Sequence, residues 1–233
     1  MKGVILAGGY GKRLRPLTDS VPKPLLTVSE RPIIEWQIEW LKHYGIDEIV
    51  VCAGYLKEKI VDEIGSGHKL GVKIGYAIED EPLGTGGALK NAEHLLSNED
   101  KFIVINGDIL TNLDPRKLLP MLDEKDVVGC IALVHLPSPF GIIEFDKSNG
   151  RILKFTEKPR LPQHYINAGV YAFRPSIFQY LPEKGDIEKT TFPSLAKDGM
   201  LRAIPYENVE WISTDSHKDL EEAAKLVGRI IPT

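Results

Sequence analysis

The sequence predicts an α/β domain built in three α/β/α layers, with helices on both faces of a mixed, mostly parallel sheet. Two observations carry that expectation. Short apolar runs of strand length alternate with stretches of helical period through the first half of the chain, the pattern of βαβ units. The 233 residues, 42% hydrophobic and 27% charged, suffice for one substantial core and are ordinary for a globular protein.

Taken in order, strands are expected at Gly3 to Ala7, Glu48 to Ala53, Val72 to Ala77, Phe102 to Asn106, Val127 to Val134, Ile142 to Phe145 and Gly169 to Phe173. Between them, Pro32 to Tyr44 places Ile33, Ile34, Trp36, Ile38, Trp40 and Leu41 near helical period, with Gly45 at the stop. Leu56 to Ile64, Gly86 to Leu96 and Asp219 to Ile230 read likewise, and Thr85 stands where it would cap the third of these four. The second half is less regular. Val127 to Val134 and Ile142 to Phe145, separated by a Pro-rich turn, read as an antiparallel pair added over a second substrate. No linker or internal repeat divides the chain, so residues 1–233 are expected to form one domain, with functional halves at about 1–110 and 111–233.

Several function classes are excluded. A net charge of −4 gives no support for nucleic-acid binding. The first apolar run is four residues long, so neither a signal peptide nor a spanning segment is expected, nor a membrane partner. Cys52 and Cys130 each lie in an apolar strand and are expected as buried thiols of a cytoplasmic protein. The six histidines lack a paired metal spacing.

The chemistry concentrates in Val4-Ile5-Leu6-Ala7 followed by Gly8-Gly9-Tyr10-Gly11-Lys12-Arg13-Leu14-Arg15-Pro16-Leu17-Thr18, then Pro22-Lys23-Pro24-Leu25-Leu26. Glycines after a buried strand let the backbone approach a ligand, and the neighbouring cations point to a polyphosphate. Two familiar phosphate loops fail: a Walker A motif would need Gly at Leu6 and Ser or Thr at Arg13, and a dinucleotide fingerprint would need Gly at Leu14. Further on, Gly107-Asp108 after a strand sets a carboxylate at a sheet edge, either as a turn residue or as a metal ligand. The Gly84, Gly86 and Gly87 loop opens a helix and permits close approach by a flat ligand.

The opening string resembles the signature of sugar-nucleotide pyrophosphorylases, the sugar-1-phosphate nucleotidyltransferases. That resemblance implies a Rossmann-like nucleotidyltransferase fold and transfer of a nucleotidyl group from an NTP to a sugar 1-phosphate, releasing pyrophosphate. Leu6, Ala7, Gly8, Gly9, Gly11 and Lys12 would then hold the nucleotide, with Gly86 and Gly87 beside the base, and Asp108 would bind Mg²⁺. Glu81-Pro82-Leu83-Gly84-Thr85-Gly86-Gly87-Ala88-Leu89 looks most like the guanylyltransferases acting on mannose 1-phosphate. Glu81 would accept hydrogen bonds from the N1–H and exocyclic amine of guanine. UTP- or dTTP-dependent relatives and a catalytically weak regulatory paralogue are the alternatives.

Phe140-Gly141-Ile142, Phe155-Thr156-Glu157-Lys158-Pro159 and Tyr165-Ile166-Asn167-Ala168-Gly169 resemble the sugar-phosphate half of that family. Gly141 permits close approach, Glu157 and Asn167 suit sugar hydroxyls, and Lys158 suits the phosphate. The catalytic expectations are Arg13 on the departing pyrophosphate, Lys23 near the reacting phosphorus and Lys158 on the attacking phosphate. One departure stands out. The family ends Trp-x-Asp-x-Gly-Thr, where the Asp binds metal, but here Trp211-Ile212-Ser213-Thr214-Asp215 puts Ser213 at that position. Asp215 is either a displaced metal ligand or the cap of the following helix. The C-terminal β-helix appended in many relatives is not expected, and any homo-oligomer would use the surfaces of this domain.

Overall fold

In the computed structural model, which describes residues 1–230, the chain begins with β1 (Gly3–Ala7), the short pair β2 (Thr27–Val28) and β3 (Arg31–Pro32), and α1 (Ile33–His43). β4 (Glu48–Ala53), α2 (Lys57–Ile64), β5 (Lys73–Ile78), α3 (Gly84–Asn91) and α4 (Glu93–Leu96) follow. Then come β6 (Phe102–Asn106), β7 (Ile109–Thr111), β8 (Gly129–Pro137), β9 (Ile142–Phe145), β10 (Ile152–Thr156) and β11 (Arg160–Phe173). The chain closes with α5 (Ile187–Lys197), β12 (Leu201–Pro205), β13 (Trp211–Ser213) and α6 (His217–Ile230). Residues 231–233 of the expected domain lie outside the described residues.

Seven strands form one sheet in the order β12-β8-β11-β6-β1-β4-β5. β6, β1, β4 and β5 are mutually parallel, and β11 enters antiparallel between β6 and β8. The sheet is therefore mixed, as expected. Alternating side chains send Ile5, Ile49, Val51, Ile103 and Ile105 to one face, where α1, α2 and α6 pack through Ile38, Ile60 and Val227. Val4, Val50, Phe102 and Val104 face the other way, against Leu89 of α3 and Phe192 and Leu195 of α5. Both faces of β1, β4 and β6 are thus buried, which explains their nearly continuous apolar composition, while the edge strand β5 stays partly exposed. Among the described residues, no helix is long and apolar enough to cross a membrane.

The expected and observed elements differ in instructive places. The stretch from Gly86 to Leu96 is broken at Ala92 into α3 and α4, and α3 starts two residues early, at Gly84. Thr85 does not cap it; Leu83 is the N-cap, without a side-chain bond. Ile142–Phe145 does not pair with the strand before it. It pairs with β10, a partner that the sequence pattern left unassigned, and the two form a separate ribbon. β8 pairs with β11 and β12 instead.

The sheet centre sets the site through close backbone contact. Gly107 follows β6, its N–H donates to the Leu6 carbonyl at 3.0 Å, and a Cβ on Gly107 would lie 2.5 Å from that oxygen. Replacing Gly107 with Ala is expected to force apart the ends of β1 and β6. A loss of about 2 kcal/mol in chemical denaturation is the expected outcome.

Candidate functional site

The site grows from the carboxyl ends of β1 and β6, where ligands bind in open α/β sheets. After β1, Gly11 takes a left-handed conformation (φ 60°) that a side chain would strain. Its carbonyl accepts from Leu14 N–H and from the Thr18 hydroxyl, each at 2.9 Å, which folds residues 8–14 into a tight turn over the sheet edge. A cavity of about 430 Å³ opens beside this turn. Leu6, Ala7, Gly8, Gly9, Gly11, Lys12 and Arg13 line it, as do Lys23 and Asp108. Asp215 completes that wall.

Three segments far apart in sequence meet at Lys23. Its Nζ donates to Asp108 Oδ2 at 3.0 Å and to Asp215 Oδ1 at 2.9 Å, with only 12% of the side chain exposed. Asp215 Oδ2 accepts from the Ser213 hydroxyl at 3.0 Å and lies 3.5 Å from an Arg13 nitrogen. Burial alone would raise the Asp215 carboxyl. The hydrogen bond and charge of Lys23, with Ser213 and Arg13, outweigh it and hold the group below its ordinary range. Asp215 does not cap α6. Ser216 and Asp219 do so reciprocally: the Asp219 carboxylate accepts from Ser216 N–H at 2.7 Å, and the Ser216 hydroxyl accepts from Asp219 N–H at 3.3 Å. Asp215 is thereby free to face the cavity.

Glu81, expected beside the base, lies off the main cavity, and Glu79, to which the sequence reading gives no role, lies on its wall. Glu81 is exposed and pairs with Lys184 at 2.7 Å, and it lines a smaller adjoining hollow. Glu79 is 5% exposed on the wall of the main cavity, where burial raises its carboxyl and a bond from Leu83 N–H to Oε2, at 3.1 Å, offsets only part. Among the described residues its buried Oε1 has no hydrogen-bond partner. Gly8 makes room for this carboxylate, since any Cβ there would collide with Oε1. The signal for Glu79 is its place at the end of β5, where its N–H continues the strand pairing to Ala53.

Gly86 and Gly87 do not face the cavity. They are buried against Pro182 to Gly185, with both N–H groups donating to the Gly185 carbonyl, while Gly84, Thr85 and Ala88 form the lining. The Thr85 hydroxyl donates to Glu188 Oε2 at 2.7 Å and accepts from Ile187 N–H at 2.9 Å, tying α3 to the start of α5. From Glu188 a chain of hydrogen bonds runs through the buried Tyr171 hydroxyl (3.3 Å) to Asn167 Nδ2 (2.9 Å). Asn167 Oδ1 accepts from Gly169 N–H, so one donor and one lone pair remain for a ligand. Tyr10, from the glycine turn, and Asn106 and Asp186, which no sequence pattern marks, also line the cavity. Asn106 Oδ1 is another buried acceptor without a partner among the described residues.

Gly141, Glu157, Lys158 and Asn167 stand apart from the lining of that cavity. Gly141 and Glu157 are neighbours: a Cβ on Gly141 would meet Glu157 Oε2 at 3.0 Å and Phe155 Cζ at 2.8 Å. Lys158 holds φ 42°, a conformation rare for a side-chain-bearing residue, with its ammonium 3.8 Å from Glu157.

Known proteins are similar to this chain in sequence and fold. The catalytic subunit beta of mannose-1-phosphate guanylyltransferase from Dictyostelium discoideum is 38% identical over 224 residues, covering 94% of this chain. The chain spans 62% of that relative's length. A Bacillus anthracis structure described as a glucose-1-phosphate thymidylyltransferase, in complex with a sucrose, superposes with a TM-score of 0.78 at 29% identity, covering 100% of this chain and 97% of its own. HddC from Yersinia pseudotuberculosis, complexed with GMP-PN, does so at 0.76 and 30% identity, covering 96% and 98%. The Nucleotidyl transferase family model matches residues 2–229, and the chain belongs to that family.

Proposed function

We propose that the chain transfers a nucleotidyl group from an NTP to a sugar 1-phosphate, with GTP and mannose 1-phosphate or a related sugar as the substrates. The observation that carries this reading is the Lys23 ammonium between Asp108 and Asp215, facing the glycine turn across one cavity. The names of the curated relatives support the same chemistry.

In this mechanism an oxygen of the sugar phosphate attacks the α-phosphorus of the NTP in line, and pyrophosphate departs from the opposite side. Positioning and charge neutralisation carry the acceleration, with no covalent intermediate on the protein. The turn at Gly8 to Gly11 seats the phosphates, and the Arg13 fork offsets charge on the leaving pyrophosphate. Lys23 contacts phosphate near the reacting centre. Lys158 draws in the attacking phosphate, and Glu157 and Asn167 hold sugar hydroxyls.

The donor set fits Mg²⁺. Two carboxylates already reach one cationic nitrogen, and Mg²⁺ favours one or two carboxylates together with phosphate oxygens and water. Asp108 and Asp215 would hold it, Asp215 serving in place of a carboxylate at Ser213. Bound there, the ion would neutralise charge on the phosphates. Among the described residues, no cluster of three or more His, Cys, Asp or Glu forms an alternative centre.

Base recognition belongs to Glu79. Its unpartnered Oε1 and the second lone pair of Oε2 match the paired donors of guanine, N1–H and the exocyclic amine. Thymine and uracil offer no such pair. The deciding experiment measures pyrophosphate release from GTP, UTP and dTTP against a panel of sugar 1-phosphates. Turnover with GTP is expected to lead, and equal or faster turnover with UTP or dTTP would reject the guanine assignment.

Glu79→Gln is expected to lower kcat/KM for GTP by about 100-fold, because an amide turns one acceptor into a donor. The same change should raise stability at neutral pH by about 1 kcal/mol, since it removes a buried, incompletely paired charge. A raised folded-state pKa stabilises below the unfolded value and loses that contribution as pH rises through the folded one. The melting-temperature advantage of the variant over wild type should therefore grow with pH above the ordinary glutamate range. Arg13→Ala is expected to lower turnover by about 100-fold with little change in nucleotide affinity. Equal losses in both would point to a binding protein instead.

A further inference from the structure

Lys158 lies in the turn between β10 and β11, and Lys218 lies in the first turn of α6. Their side chains meet, although both end in ammonium groups. Like charges in contact repel, and two further features of the same spot add to the cost. A cation in the first turn of a helix opposes the helix dipole, which favours anions there. Lys158 also holds a φ of 42°, in the left-handed region that side-chain-bearing residues avoid. The neighbouring carboxylates leave the donors of both ammonium groups uncommitted. Glu157 is 3.8 Å from Lys158 and Glu222 is 3.6 Å from Lys218, each beyond ordinary hydrogen-bond length. Asp219, next to Lys218, is engaged by the N–H groups of Asp215 and Ser216. Costs of this kind cluster where a ligand repays them.

We propose that Lys218 joins Lys158 in a two-ammonium clamp for the phosphate of the sugar 1-phosphate. The clamp rests on the reading of Lys158 as the residue that draws in that phosphate, and it adds a second binding residue from α6. The charges match, because a phosphomonoester carries close to two negative charges at neutral pH on three acceptor oxygens. Bound between the lysines, it turns their repulsion into two charge-assisted hydrogen bonds. The position matches as well. Asp215 stands on the wall of the main cavity, and Lys218 follows it by three residues, at most about 11 Å of chain. Neither lysine lines that cavity, where the glycine turn, Arg13 and Lys23 gather. A site beside the cavity, close to Asp215, suits the substrate that attacks from outside the nucleotide.

Calorimetric titration of the full chain with mannose 1-phosphate, and with inorganic phosphate as a second probe, tests the clamp. Lys218→Gln is expected to bind mannose 1-phosphate about 10-fold more weakly than wild type, through loss of one charge-assisted bond. Lys218→Arg should recover most of that affinity, because it keeps the charge. Without ligand, Lys218→Gln should melt no lower than wild type, since it removes a repulsion; a merely structural lysine would lower the melting temperature and leave the affinity unchanged. The clamp is overturned if wild type binds neither probe, or if Lys218→Gln binds mannose 1-phosphate as wild type does. Failure of the nucleotidyl-transfer reading is a separate result: no pyrophosphate release from wild type with any sugar 1-phosphate, whatever the Lys218 variants bind.

Discussion

Lys23 sits between Asp108 and Asp215 with most of its side chain out of water, and this contact joins the turn after β1 to the end of β6 and the β13–α6 turn. A buried ammonium is costly unless it is paired, and two carboxylates confined to one cavity wall would repel each other without it. Each of the three groups therefore depends on the other two for its place. Arg13 and Ser213 reinforce Asp215 from the solvent side and the strand side. The arrangement brings compact positive charge and two oxygen donors beside a turn suited to phosphates, which is what nucleotidyl transfer requires.

The absence of side chains is as consequential as their presence. Gly107 rests on the Leu6 carbonyl, so Asp108 projects from a point where two strands are in contact. Gly8 leaves the space that Glu79 fills, which keeps a carboxylate dry and short of partners on the cavity wall. Across the cavity, Thr85, Glu188, Tyr171 and Asn167 form a continuous polar chain from the start of α3 to the middle of β11. It couples the rim of the main cavity to β11.

The glycine turn of the cavity was legible because it is local: the residues from Leu6 to Arg13 form one turn, and spacing alone states which templates they satisfy. The wall beyond β5 was not. Glu79 and Glu81 lie two residues apart, and only the end of β5 and the turn after it decide which is buried and which reaches Lys184. Gly86 and Gly87 read as ligand-facing glycines, yet they serve the contact between α3 and the Pro182 to Gly185 loop, a neighbour about 100 residues away in sequence. Asp215 was ambiguous for a similar reason. Ser216 and Asp219 can satisfy the α6 N-terminus between themselves, and this becomes visible only when both are placed.

By itself the sequence determined the α/β class, the parallel core strands, the family motif and the residues of the glycine turn. All of these depend on periodicity and contacts within a few residues. The tertiary structure decided which carboxylates share Lys23, which glutamate faces the cavity, and that β9 pairs forward with β10 rather than back with β8. Those outcomes depend on pairing between distant segments, where several partners satisfy the same local pattern and only packing in three dimensions selects one.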